Sequence, residues 1–170
     1  MSDTPLNGES ENTPQDGTPI EASMHVVAQY LKDLSFENPN APGIYGEMTT
    51  QPQFEVNVDV SAQGLGQNHY EVELSVSANA SFKDKPVFVV ESTYAGVFQI
   101  EGVPQEHLEA VMVVECPRLL FPFLRQVIAD ATRNGNFPPL MLDPIDFLRM
   151  YEQRRAKEMQ DKENGNTGTA

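Results

Sequence analysis

Thirteen consecutive residues, YEVELSVSANASF at 70–82, alternate between apolar and polar at every step. Successive side chains on a strand point to opposite faces. This rhythm therefore sets Tyr70, Val72, Leu74, Val76, Ala78, Ala80 and Phe82 on one side of a sheet, and Glu71, Glu73 and the serines on the other. Residues 53–60 repeat it with Phe54, Val56, Val58 and Val60, and residues 24–37 repeat it with Met24, Val26, Ala28, Tyr30, Leu34 and Phe36. Short polar loops, AQGLGQNH and KDK, join the second strand to the third and the third to PVFVVESTYAGVFQIEG, so consecutive strands can pair antiparallel. The fourth strand carries bulk on both faces, Val87, Phe88, Val89 and Val90 followed by Tyr94, Val97 and Phe98. One of its faces is expected against the chain's own helices and the other against another subunit.

After Gly102 the period lengthens. Pro104 suits a first helical position, and Leu108, Val111, Met112 and Glu115 step by three or four. Pro117 and Pro122 lack an N–H, which predicts a break or kink near Cys116 before the helix continues to Arg133. Asn134 and Gly135 supply a left-handed cap. A second helix is expected from DPIDFLRMYEQRR, capped by Asp143, with Pro144 in its first turn and Asp146 in the capping-box position.

Charge divides the chain unevenly. Of the net −14, residues 1–23 carry five acids and no base, and residues 24–117 carry thirteen acids against three lysines. Residues 1–23 have almost no bulk and are expected to form a disordered acidic tail, residues 24–158 a single α+β domain, and residues 159–170 a second disordered tail. An acidic surface repels nucleic acid and steers a basic partner toward itself. No apolar run approaches a membrane span, the start lacks the basic region of a signal peptide, and one cysteine cannot form an internal disulfide. A soluble, cytoplasmic protein is expected, with no direct membrane insertion.

Several separated strings resemble the SecB family of bacterial export chaperones: DLSFENPNAP at 33–42, YEVELSVSA at 70–78, GVF at 96–98, and CPRLLFPFLRQVI followed by NGNFPPLMLDPIDF. They span residues 26–152, about the whole of the expected domain. The resemblance implies a four-stranded antiparallel sheet with a crossover connection and two C-terminal helices packed on one face, assembled as a dimer of dimers. It implies an ATP-independent chaperone that holds unfolded precursor polypeptides and delivers them to the translocase motor SecA.

The resemblance also places three sets of residues. Tyr45, Phe137, Leu140, Leu142, Phe147, Leu148 and Tyr151 border a client groove, with burial in the monomer core as their plain alternative. Asp33, Glu37, Val89 and Glu91 form the SecA-binding patch, if the faces of the first and fourth strands coincide; otherwise they are a solvated sheet face. The family usually has leucine where Val89 stands. Leu119, Leu120, Phe123, Leu124 and Val127, which wrap nearly all sides of one helix, join Val90 and Tyr94 as the oligomer interface of a homotetramer, the alternative being a core helix of the monomer.

Catalysis finds little support, because His25, His69 and His107 are scattered and Cys116 has no histidine nearby in sequence. Neither a CxxC nor an HExxH spacing occurs, GLGQNH lacks the third glycine of a dinucleotide fingerprint, and no P-loop is present. No enzyme activity, metal or cofactor is expected. A different class remains open: a small oligomeric α+β protein whose groove holds a lipid or another apolar small molecule.

Overall fold

The computed structural model describes residues 21–165. Strands β1 (Ser23–Glu37), β2 (Gln53–Gly66), β3 (His69–Phe82) and β4 (Lys85–Glu101) form one antiparallel sheet in the order β1-β4-β3-β2. Lys83 and Asp84 turn β3 into β4 with φ of 48° and 63°, the left-handed pair that matches the twist of a two-residue hairpin. β1 and β2 occupy opposite edges, so residues 38–52, with the short helix α1 (Gly43–Glu47), pass from one edge to the other.

The strict alternation of β3 is kept, and Val72, Leu74, Val76 and Ala78 are all buried on the helix side. Helices α2 (Gln105–Ala110), α3 (Cys116–Asn134) and α4 (Phe147–Gly165) follow the sheet. α3 buries Leu120, Leu124 and Ile128 completely, each such side chain contributing roughly 1.5–3 kcal/mol. A Cβ on Gly96 would lie 2.9 Å from the Leu120 side chain and 2.8 Å from Phe98, so helix and sheet approach closely there because β4 has no side chain at that point.

Four helix expectations change. The chain does not break at Cys116: a π-helical turn, Val111–Glu115, links α2 to α3, and Pro117 falls in the first turn of α3, where a missing N–H is tolerated. Gly135 is not left-handed, with φ −78°; Asn136 is, at 64°. Glycine is required at 135 because a Cβ there would overlap the Phe36 ring. α4 starts at Phe147 rather than near Asp143, and the Asp146 carboxylate caps it, accepting the Arg149 N–H at 3.0 Å. α4 also continues to Gly165, so residues 159–165 are helix where a tail was expected, while the acidic stretch 1–20 and residues 166–170 lie outside the described residues.

β1 departs from plain alternation. Its pairing with β4 skips Val27 and Lys32, one bulge between Val26 and Ala28 and another between Leu31 and Asp33. Each extra residue reverses the phase of the strand. Ala28 and Tyr30, expected with Met24 and Phe36, therefore face away from the helices, opposite Val97 and Ala95. Gln29 and Leu31 take the helix side, and the second bulge returns Leu34 and Phe36 to it. In β4, Val90 and Tyr94 share the helix side with Phe88 and Phe98, so the expected division between own helices and another subunit does not separate them.

Candidate functional site

β2 is an edge strand, and its helix-side row Phe54, Val56, Val58, Val60 runs along the rim of the layer between sheet and helices. Phe54 is 47% exposed and Val56 42%, although both belong to the apolar phase. At one end of the row Phe54 enters a cleft of about 210 Å³ with Met48, Phe88, Phe137, Pro139 and Leu140. At the other end Val58 and Val60 enter a second cleft of about 220 Å³ with Val113, Phe147, Met150, Tyr151 and Arg154. Val56 lies between them. At about 3.3 Å per residue the row is roughly 20 Å long, and among the described residues no fifth strand pairs with the outer backbone groups of β2.

The expected groove residues fall on this geometry unequally. Phe137 and Leu140 line the first cleft, and Phe147 and Tyr151 the second. Leu142 is buried in the core and Leu148 is 46% exposed, outside both clefts. Tyr45 holds the first cleft together: its ring lies 5.4 Å from Phe137, its hydroxyl donates to the Gly135 carbonyl at 2.9 Å and accepts from Asn38 Nδ2 at 2.6 Å. Sequence reasoning missed the contribution of Phe54, Val56 and Val58, whose signal was an apolar alternation on a strand that ends up at an edge.

The opposite face of the sheet is polar. Cross-strand pairs put Glu37 beside Val89, Ser35 beside Glu91, and Asp33 beside Thr93, so Asp33, Glu37, Val89 and Glu91 do share one face. The same rows continue through Asn79, Ser77 and Ser75 to Glu55, Asn57 and Asp59 on β2. Asp33, Asn57, Ser75, Ser77 and Glu91 line a depression of about 280 Å³.

Two rows further along, Glu71 is buried on this outer face, its carboxylate accepting from the Tyr30 hydroxyl, from Lys32 Nζ at 3.0 Å and from Gln63. These donors, Tyr30 first, hold its pKa down at about 2. Lys32 also reaches Glu73, at 2.5 Å, and the bonds to Glu73 and Glu71 raise the Lys32 pKa. Tyr30 is raised in turn, mainly by its hydrogen bond to Glu71.

The expected interface residues divide by burial. Val90, Leu120 and Leu124 lie in the chain's own core, fully buried. Leu119 and Phe123 are 43% and 45% exposed on the other side of α3, Val127 is half-buried, and Phe123 stacks on Tyr94 at 5.9 Å. The helix is thus apolar around most of its girth, with one stripe covered by the sheet and another open. Val26, Leu31 and Leu34 on the neighbouring edge strand β1 are also more than 40% exposed.

Among the described residues no group of three or more His, Cys, Asp or Glu is placed to hold a metal ion. Cys116 is fully buried with Sγ 3.5 Å from Met24 Sδ, and its pKa is pushed up to about 12 by burial and then by the Glu115 charge. A thiol kept protonated in this way is a poor nucleophile. No helix among the described residues is long and apolar enough to cross a membrane.

Comparison with known proteins accounts for the same span. Residues 18–158 match the family model for preprotein translocase subunit SecB. The protein-export protein SecB of Parvibaculum lavamentivorans is 51% identical over 149 residues, covering 87% of this chain and 88% of its own. That of Mesorhizobium japonicum is 51% identical over 141 residues, covering 83% and 84%. Among solved structures, a SecB-like chaperone of Mycobacterium tuberculosis in complex with an antitoxin peptide shares the fold, with a TM-score of 0.60 at 16% identity over 72% of this chain and 90% of that one. A family match over residues 18–158, with half of the aligned residues identical in relatives covered over more than four fifths of their length, establishes that this chain belongs to the SecB family.

Proposed function

We propose that this chain is a holding chaperone of protein export, which keeps unfolded precursor polypeptides uncollapsed without ATP and delivers them to the SecA motor. The observation that carries this reading is the exposed apolar row of β2 with a cleft at either end. An unfolded polypeptide offers unpaired backbone groups and apolar side chains together. It can add to the free edge of β2 while its bulky residues enter the clefts. A folded protein offers neither. Each contact is weak, and a long client gains affinity by occupying several copies of the row at once.

Those copies come from a homotetramer, a dimer of dimers in which the open stripe of α3, Leu119, Phe123 and Val127 with Tyr94, meets other subunits. The exposure of that stripe beside the exposed apolar residues of β1 supports the assembly. SecA docks on the outer sheet face at Asp33, Glu37, Val89 and Glu91, where a basic partner finds carboxylates on a flat polar surface. The protein works in the cytoplasm, binds no nucleic acid and catalyses no reaction. A small-molecule or lipid carrier is disfavoured, because each cleft is smaller than the roughly 300–1,000 Å³ that encloses such ligands.

Mass under native conditions tests the reading. Four chains are expected, gaining one denatured client per tetramer, with binding displaced by other unfolded polypeptides and not by fatty acids. A stable single chain, or equal affinity for native and denatured client, would overturn it.

A further inference from the structure

The outer sheet face carries seven carboxylates between the Glu71 and Glu37 rows: Glu71, Glu73, Asp33, Asp59, Glu91, Glu55 and Glu37. Lys32 is the one Lys or Arg among the strand residues that lie on those rows. Its outward position follows from the first β1 bulge, which turns Ala28, Tyr30 and residue 32 to this face, and the second bulge makes it an extra residue there. In unbroken alternation residue 32 would fall on the helix side with Leu34 and Phe36; as the extra residue opposite Thr93 it reaches over Ala95, which is fully buried, to Glu71 and Glu73 on β3. Asp33, Glu37, Glu55, Asp59 and Glu91 meet no base among the described residues. The face is therefore split. On one half Lys32 bonds both carboxylates, Glu71 and Glu73, leaving a net −1, and with Tyr30 roofs them; the other holds carboxylates that meet no base among the described residues, around the depression at Ser75 and Ser77.

We infer that Lys32 is a specificity-determining residue for the outer face: by occupying Glu71 and Glu73 it confines a basic protein segment to the half of the sheet between the Asp33–Asp59 and Glu37–Glu55 rows. This rests on the reading of that face as the SecA-docking surface, and extends it to Asp59 and Glu55 on β2. The occupant is a Lys- or Arg-bearing segment of a partner protein, because every charged group on that half is a carboxylate and, Val89 apart, its neighbours are small hydroxyl and amide side chains that leave room for an ammonium or guanidinium group.

The test uses the full chain with Lys32→Gln, which removes the charge while Glu71 keeps its bonds to Tyr30 and Gln63, and with Lys32→Arg, which keeps the charge. Two probes are titrated, a fluorescent pentalysine peptide and purified SecA, and hydrogen-exchange footprints are taken on each complex. Lys32→Gln is expected to bind both roughly two- to fivefold tighter at low ionic strength, the gain vanishing in about 1 M salt, with protection spreading to residues 71–73; Lys32→Arg should match the parent. Equal or weaker binding by Lys32→Gln, with an unmoved footprint, overturns the inference. Glu91→Lys separates the two claims: retained SecA binding sinks the docking reading, while the pentalysine arm still decides the role of Lys32.

Discussion

A carboxylate removed from solvent on a sheet face that holds no apolar core needs donors to stay charged, and Glu71 has three, from residues on both edge strands. Tyr30 and Lys32 come from β1, Gln63 from β2, so one side chain on β3 ties both edges to the centre. Its pKa is lowered from about 4.5 to about 2. Stability from this ionisation is fully present above the unfolded value and is lost as pH falls through the folded one. The parent protein should thus lose resistance to urea between about pH 4.5 and 2, and Glu71→Gln should flatten that part of the profile while lowering stability at neutral pH. An unchanged slope would remove Glu71 from this role. The position of Glu71 in the polar phase was legible from the alternation at 70–82, but its partners were not, since Tyr30 and Lys32 stand about forty residues away.

At the level of elements, edge strands decide more than central ones. β3 and its turn into β4 were readable because each obeys a local rule, strict period two and the short polar KDK; the expected loop AQGLGQNH is instead mostly strand, β2 running to Gly66. β2 obeys the same period, yet being an edge changes what the period means: Phe54 and Val56 belong to the apolar phase and stay exposed. Replacing Val56 by Lys puts a charge midway between the clefts without disturbing a buried group. Client affinity should fall about tenfold or more, as expected for burying an unpaired charge against an apolar ligand, with native mass and thermal stability nearly unchanged. Calorimetric titration with a denatured client checks it. The end of α3 was misread for a related reason. Gly135 looked like a conformational cap, and it is instead a clearance for Phe36, a neighbour nearly a hundred residues earlier that no local pattern announces.

For the whole molecule, the open questions concern surfaces rather than the core. α3 has two apolar stripes, and the described residues of its own chain cover only one. The sequence made the all-round apolarity of that helix visible but could not assign sides, so Leu120 and Leu124, which point into the core, were grouped with Leu119 and Phe123, which do not. Leu119→Glu combined with Phe123→Glu should leave the chain folded and convert the assembly to smaller species, read by sedimentation; a persisting tetramer would move the subunit contact elsewhere. The two bulges of β1 bear on how such a chain can change length. Between its pairs with Ile100 and Val89, β1 advances thirteen residues while β4 advances eleven. Losing Val27 or Lys32 leaves every remaining pair on its present face, because the pairing already steps over that residue, whereas losing a paired residue transposes side chains up to the next bulge or the strand's end, much as a frameshift garbles a reading frame. Natural relatives of this strand should therefore shorten at the positions of Val27 or Lys32, singly or together, and not at the paired residues between them.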